Sequence, residues 1–149
     1  MIKIQKKIFS LSEVNKKLLK KNSGAIVTFI GVVRGEKKTK KIQSIYIECY
    51  LKMAEKELKK VEMIANKKWK LNNCIIIHRY GKIRPEEKIV YVATSAEHRK
   101  NAFKACEFII DYLKTKAPFW KIEKINSKEI YVQSKKKDEK KIKKWGSII

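Results

Sequence analysis

The stretch "DYLKTKAPFWKIE", residues 111–123, changes character halfway along. Its first half closes an apolar stripe with helical spacing, in which Phe103, Cys106, Ile110, Leu113 and Ala117 follow one another at steps of three and four. Pro118 then ends the helix, because proline restricts the residue before it and cannot continue the backbone hydrogen bonding. Beyond it, "FWKIEKI" (119–125) and "EIYVQS" (129–134) read as a hairpin closed by the turn at 126–128. A parallel crossover needs a dozen or more residues. The loops between several strands of this chain are shorter than that, which points away from a doubly wound parallel sheet. Two lysines, Lys114 and Lys121, flank this corner.

The elements on either side agree with that reading. Residues 12–21 form a short helix with Val14, Leu18 and Leu19 as its stripe and Gly24 past its end. "GAIVTFIGVVRG" (24–35) is a buried strand, β-branched and punctuated by glycine. "EKKTKK" (36–41) reads as a charged, mobile loop. "IQSIYIECY" (42–50) alternates as a half-buried strand, with Ile45, Ile47 and Cys49 on one face. Residues 51–69 are helical, lined by Leu51, Ala54, Leu58, Val61 and Ala65. Strands follow at 72–81 and 88–95, joined by the turn at 84–87. The helix that ends at Pro118 is expected to start near residue 95, with Thr94 and Glu97 as a capping box. Strands and helices alternate, but several strand-to-strand loops are short. The class is α+β, with a mixed or antiparallel sheet and helices on one face. Residues 1–134 are expected as one folded domain and 135–149 as a basic tail, at most a frayed helix anchored by Ile142 and Trp145.

Composition narrows the function. The net charge is +23, which suggests a polyanionic partner, and a basic nucleic-acid-binding module is the alternative reading. Only four of the 38 basic residues are arginine, however, and the lysines are spread along the whole chain. Bidentate base readout favours arginine, and the aromatics lie in apolar phase or beside Pro118 rather than on a basic stacking platform. No specific nucleic acid is expected. The longest apolar runs, such as "AIVTFIGVV" (25–33), are too short to span a membrane. The N-terminal stretch has no signal-peptide pattern, so the expected location is cytoplasmic. The three cysteines, Cys49, Cys74 and Cys106, form no CxxC pair and read as reduced structural thiols. With two histidines and no Cys/His cluster, neither a metal nor a cofactor is expected.

The polar residues at element ends are the candidates for chemistry. They are Arg34 after a strand, His98 and Arg99 at a helix start, Lys114 in that helix's last turn, and Lys121 beyond the proline. Each has a plain structural reading, such as Lys114 complementing the helix dipole. Together they form an anion pocket for a phosphate, a carboxylate or both, helped by free N–H groups at a helix N-terminus. His98 and Lys114 are 16 residues apart, roughly 24 Å along a helix at 1.5 Å per residue. One compact site cannot use both from one chain. Either two subsites exist, or the pocket lies between two copies of the chain.

Five segments in order resemble the large, catalytic subunit of molybdopterin synthase. They are "GAIVTFIGVVRG", "IECYLKMAEKEL", "IIIHRYGKI", "SAEHRKNAFKA" and "DYLKTKAPFWKIE", and the resemblance runs from about Gly24 to Val132. The resemblance implies an α/β hammerhead fold with a small antiparallel β subdomain. It implies sulfur transfer from the thiocarboxylated C-terminal Gly-Gly of a small ubiquitin-like partner subunit to cyclic pyranopterin monophosphate, forming the dithiolene of molybdopterin. It also implies a central dimer of large subunits with a small subunit at each end. By position, Lys114 and Lys121 match the family's catalytic lysines, while Arg34, His98, Arg99 and the segment Lys121-Ile122-Glu123 match its substrate-binding residues. Lys121 is implied to orient the thiocarboxylate or an intermediate. Lys114 is implied to act as acid/base or to stabilise an oxyanion. The lysine-rich loop 35–41 departs from the more mixed, glycine-containing turn the family suggests.

Overall fold

A computed structural model describes residues 1–132 and 136–149. In chain order it contains β1 (Ile2–Gln5), α1 (Leu11–Asn15), β2 (Ala25–Val32), β3 (Glu36–Lys37), β4 (Lys40–Cys49), α2 (Leu51–Trp69), β5 (Asn73–Arg79), β6 (Gly81–Ile83), β7 (Lys88–Ala96), α3 (Arg99–Thr115), β8 (Phe119–Ile125), β9 (Lys128–Val132) and α4 (Lys136–Lys143).

The strands form two sheets. The first has the order β1-β5-β7-β2, with β1 parallel to β5 and the remaining pairs antiparallel. It is therefore mixed. The second, wholly antiparallel, runs β3-β4-β8-β9, with β6 also paired to β4. The α+β class and the small antiparallel subdomain both hold.

The main core lies between the first sheet and α2, α3 and α4. Leu58, Val61 and Ala65 of α2 meet Cys106, Ile109 and Leu113 of α3 over Ile76 and Val92 of the sheet. Trp145 closes this core, edge-on to Trp69 at 5.7 Å and to Phe108 at 5.5 Å. The opposite face of the sheet packs Ile75, Ile77, Tyr91 and Ala93 against Phe9, Val14 and Leu18 around α1. A third cluster, Val33, Ile42, Ile45, Ile47, Ile83 and Ile125, fills the inner side of the second sheet.

Several expectations need correction. β1 goes unread in the sequence, because four residues interrupted by lysine give too little alternation to register. The helix expected at 12–21 ends at Asn15 and continues only as tight turns, Lys17 to Val14 and Leu18 to Asn15. Residues 36–41 are not a mobile loop. They make the β3–β4 hairpin, turning through Lys38 and Thr39 at φ 48° and 64°. The same two-residue positive-φ geometry at Asn126 and Ser127 closes β8 onto β9. Of the expected strand 129–134, residues 129–132 pair as β9, and 133–134 lie outside the described residues, as does the expected boundary after residue 134.

The start of α3 is also later than expected. Ser95 and Ala96 belong to β7, and the N-cap is His98, whose side chain makes no capping bond. Thr94 instead donates its hydroxyl to the Ala102 carbonyl at 2.7 Å, from inside the core. The buried side of α3 is Ala102, Ala105, Cys106, Ile109, Tyr112 and Leu113, whereas Phe103 is mostly exposed. Two alanines let the helix settle close on the sheet, and a stripe drawn through the largest apolar side chains misses that rotation. Gly24 permits a similar close approach, because a side chain there would collide with the Glu97 carbonyl. The start of β2 is thereby seated directly against the start of α3.

Candidate active site

The corner after α3 is built as its sequence suggests. The C-cap Lys116 returns its N–H to the Tyr112 carbonyl, Pro118 is buried, and β8 begins at once. Phe119 stacks flat on His78 of β5, with ring centroids 3.7 Å apart and planes 10° apart. Trp120, on the other side of the strand, stands edge-on to Tyr50 at 5.4 Å. The first two residues of β8 are thus clamped from both faces, and Lys121 follows them.

Strand alternation separates the next three residues. Lys121 and Glu123 pair across β4 with Ile47 and Ile45, so they share the inner face with the third core cluster. Ile122 pairs with Tyr46 and Tyr131 and faces the other way. There it lines a cavity of about 370 Å³ together with Tyr46, Lys82, Lys124, Glu129 and Tyr131. Of the segment Lys121-Ile122-Glu123, therefore, only the two charged residues act together.

Glu123 is 1% exposed, yet it is fully paired. Its Oε2 accepts a hydrogen bond from Lys37 Nζ at 2.7 Å, and its Oε1 forms an ion pair with Lys121 Nζ at 3.1 Å. Burial by itself pushes the Glu123 carboxyl up, but the hydrogen bonds and charges of the two lysines outweigh it and hold the group below the usual carboxylate range. Glu123 is consequently an anion, and it fixes where the Lys121 ammonium stands. Lys37 is a residue the sequence reading missed. A carboxylate in phase with Ile125 on an apolar strand face was the available signal, since such a group demands cations.

Arg34 is exposed, but its backbone is held. Val33 exchanges hydrogen bonds with Glu86 and Glu87, and Gly35 accepts from Ile42 N–H at 2.8 Å. α3 packs back over β7 and β2 from its start beside Gly24, and Lys114 falls in its last turn. Lys114, in that turn, is exposed and has no ion-pair partner among the described residues. Lys37 and Lys121 thus both pair with one buried carboxylate, and Arg34 stands three residues before Lys37 in the chain.

His98 and Arg99 lie at the opposite end of α3. Both are exposed, and His98 reaches only Glu97, at 3.7 Å, across open solvent. One protomer does not unite them with Lys114 and Lys121. The other scarce arginine near the site, Arg79, is structural. It is buried and bound to Glu87, Lys88 O and Lys6 O. His78 beside it donates from Nδ1 to the Arg79 carbonyl at 2.8 Å, and burial lowers its pKa to about 4, so the ring is neutral near pH 7.

All three cysteines are free thiols. Burial pushes Cys74 and Cys106 up to about 12 and raises Cys49 as well, so none is a ready nucleophile. Among the described residues no group of three or more His, Cys, Asp or Glu side chains could hold a metal ion. Among them also no helix is long and apolar enough to cross a membrane.

Comparison with known proteins places the chain in a family. The family model described as "MoaE protein" matches residues 4–116. The molybdopterin synthase catalytic subunit of Ralstonia nicotianae is 42% identical over 125 residues, covering 84% of this chain and 71% of that protein. The same subunit of Vibrio cholerae is 37% identical over 145 residues, 97% of both chains, so that similarity includes β8 and Lys121 beyond the end of the family match. Among solved structures, the molybdopterin synthase of Staphylococcus aureus superposes with a TM-score of 0.83 at 30% identity, covering 88% of this chain and 96% of that one. A complex of subunits 1 and 2 of the molybdopterin-converting factor from Helicobacter pylori superposes with a TM-score of 0.75 at 25% identity, over 90% and 91% of the two chains. The chain belongs to the MoaE family, together with these catalytic subunits of molybdopterin synthase.

Proposed function

We propose that this chain is the catalytic subunit of a cytoplasmic molybdopterin synthase, a sulfurtransferase. Sulfur arrives as a thiocarboxylate on the C-terminus of a small ubiquitin-like subunit and passes to cyclic pyranopterin monophosphate, forming the dithiolene. The observation that carries this reading is the ammonium of Lys121, paired with buried Glu123 beside Lys37, and the proposal sets Lys114 and Arg34 on the same cationic edge. Both the cyclic phosphate and the thiocarboxylate are anions, and a cationic edge attracts both. Lys121 orients the thiocarboxylate or an intermediate. Lys114, free of a carboxylate partner among the described residues, acts as acid/base or stabilises the oxyanion as the thiocarboxylate becomes a carboxylate. The inert cysteines accord with sulfur delivered by a partner rather than by this chain. The Helicobacter pylori complex, whose two subunits are solved together, supports a small partner subunit here.

His98 and Arg99 enter the site from a second copy of the chain. α3 separates them from Lys114 by roughly 24 Å within one protomer, and a symmetric dimer removes that separation. The test is reconstitution of this chain with a thiocarboxylated small subunit and the cyclic pterin, read as dithiolene product. No product from the wild type refutes the function. A crystallographic assembly with His98 more than about 15 Å from every Lys114, well beyond hydrogen-bond reach, refutes the shared site.

A further inference from the structure

Glu123 is sealed from water and carries two ammonium partners of unequal quality. The Lys37 contact is the shorter, at 2.7 Å against 3.1 Å for Lys121. Charge-assisted bonds strengthen as they shorten, so Lys37 is the firmer partner. It also belongs to a different element, the β3–β4 hairpin three residues beyond Arg34. A buried carboxylate stripped of its counter-ion is left uncompensated in a place water does not reach, which is strongly unfavourable. If Lys121 were the sole partner of Glu123, it could not turn towards an incoming anion without stranding that charge.

We infer that Lys37 is a positioning residue: by holding Glu123 Oε2 permanently, it leaves Lys121 free to release Oε1 and engage an anionic group. The lowered pKa of Glu123 agrees, since it requires the carboxylate to stay charged and paired. Lys37 acts through Glu123 and touches no substrate. The same contact ties the backbone segment that bears Arg34 to the strand that bears Lys121. This inference rests on the proposed role of Lys121, but the clamp can be measured apart from it.

The test is the acylation rate of each lysine in the intact chain, read by mass spectrometry after brief exposure to an amine-acylating reagent. In Lys37→Met, Lys121 becomes the only counter-ion of Glu123. Its acylation relative to exposed Lys116 should slow by about fivefold, the scale of a partly exposed ion pair. Lys37→Arg, which preserves the charge, should restore the wild-type rate. An unchanged or faster Lys121 in Lys37→Met overturns the inference, and so does failure of Lys37→Arg to restore it. A hairpin merely loosened by the substitution would give the faster rate. Sulfur transfer is assayed alongside, and turnover should fall in Lys37→Met and recover in Lys37→Arg. A wild type with no transfer activity but with the lysine effect refutes the function and leaves the clamp. An active wild type without the effect refutes the clamp alone.

Discussion

The imidazole of His78 lies flat against the ring of Phe119, 3.7 Å between centroids, and so joins the first sheet to the opening residue of β8. Phe119 itself packs against both the main core and the core of the second sheet. The two sheets are therefore bolted together two residues before Lys121, and a neutral ring is the bolt.

That neutrality sets a pH limit. The folded pKa of His78 is about 4 against an ordinary 6.5. A depressed histidine adds stability that is fully present above the unfolded value and is lost as pH falls towards the folded one, because the unfolded chain takes up the proton first. Stability should decline between about pH 6.5 and 4, by an amount on the order of 3 kcal/mol from this residue. His78→Phe keeps the stacking surface and removes the titration. Urea-unfolding midpoints across that window should fall steeply for the wild type and less so for His78→Phe.

Lys114→Ala and Lys121→Ala should each reduce sulfur transfer by roughly 10² to 10³-fold, the usual effect of losing an acid/base or oxyanion-stabilising group. Lys116→Ala, with the same charge and the same neighbourhood, should leave turnover unchanged. Single-turnover product formation separates the three. Equal rates for all three variants would remove Lys114 and Lys121 from the chemistry.

The C-terminal segment just past α4 should contribute measurably to folding. Trp145 is buried, and its indole N–H donates to Asp111 Oδ2 at 2.9 Å inside the main core. Trp145→Ala deletes the ring and removes the hydrogen bond to Asp111, leaving that carboxylate only Lys144 Nζ at 3.6 Å, so a loss of roughly 3–5 kcal/mol is expected. Trp145→Phe keeps most of the ring packing but not the hydrogen bond, and should lose less. Chemical denaturation of the two variants against wild type gives the comparison.

The fold was legible where the chain is strongly periodic or interrupted by proline. The stripe of α2 from Ala54 through Leu58 and Val61 to Ala65, the stop at Pro118 and the hairpin around 126–128 are set by local chemistry, and they stand, whereas Leu51, expected on that stripe, is exposed. What was not legible depends on tertiary contact. The phase of α3 follows from how closely Ala102 and Ala105 approach the sheet. β1 is a strand only because β5 lies beside it. The site divides in the same way. Lys114 and Lys121 stand out by their corner, but Lys37 sits in a lysine run and acquires meaning only through Glu123, 86 residues later.

The length of α3, with His98 at one end and Lys114 at the other, also bears on inheritance. In the two-copy arrangement proposed above, a chain lacking His98 and a chain lacking Lys114 are each inactive on their own. Combined, they complement: each mixed pair concentrates both lesions in one site and leaves the other intact. Random reassortment of equal amounts of His98→Ala and Lys114→Ala should therefore recover roughly a quarter of wild-type activity, since half the pairs are mixed and each has one working site. Recovery absent after proven subunit exchange would place both residues in the same chain's site. Two defective alleles of this gene in one cell would then rescue one another, although neither encodes a working protein.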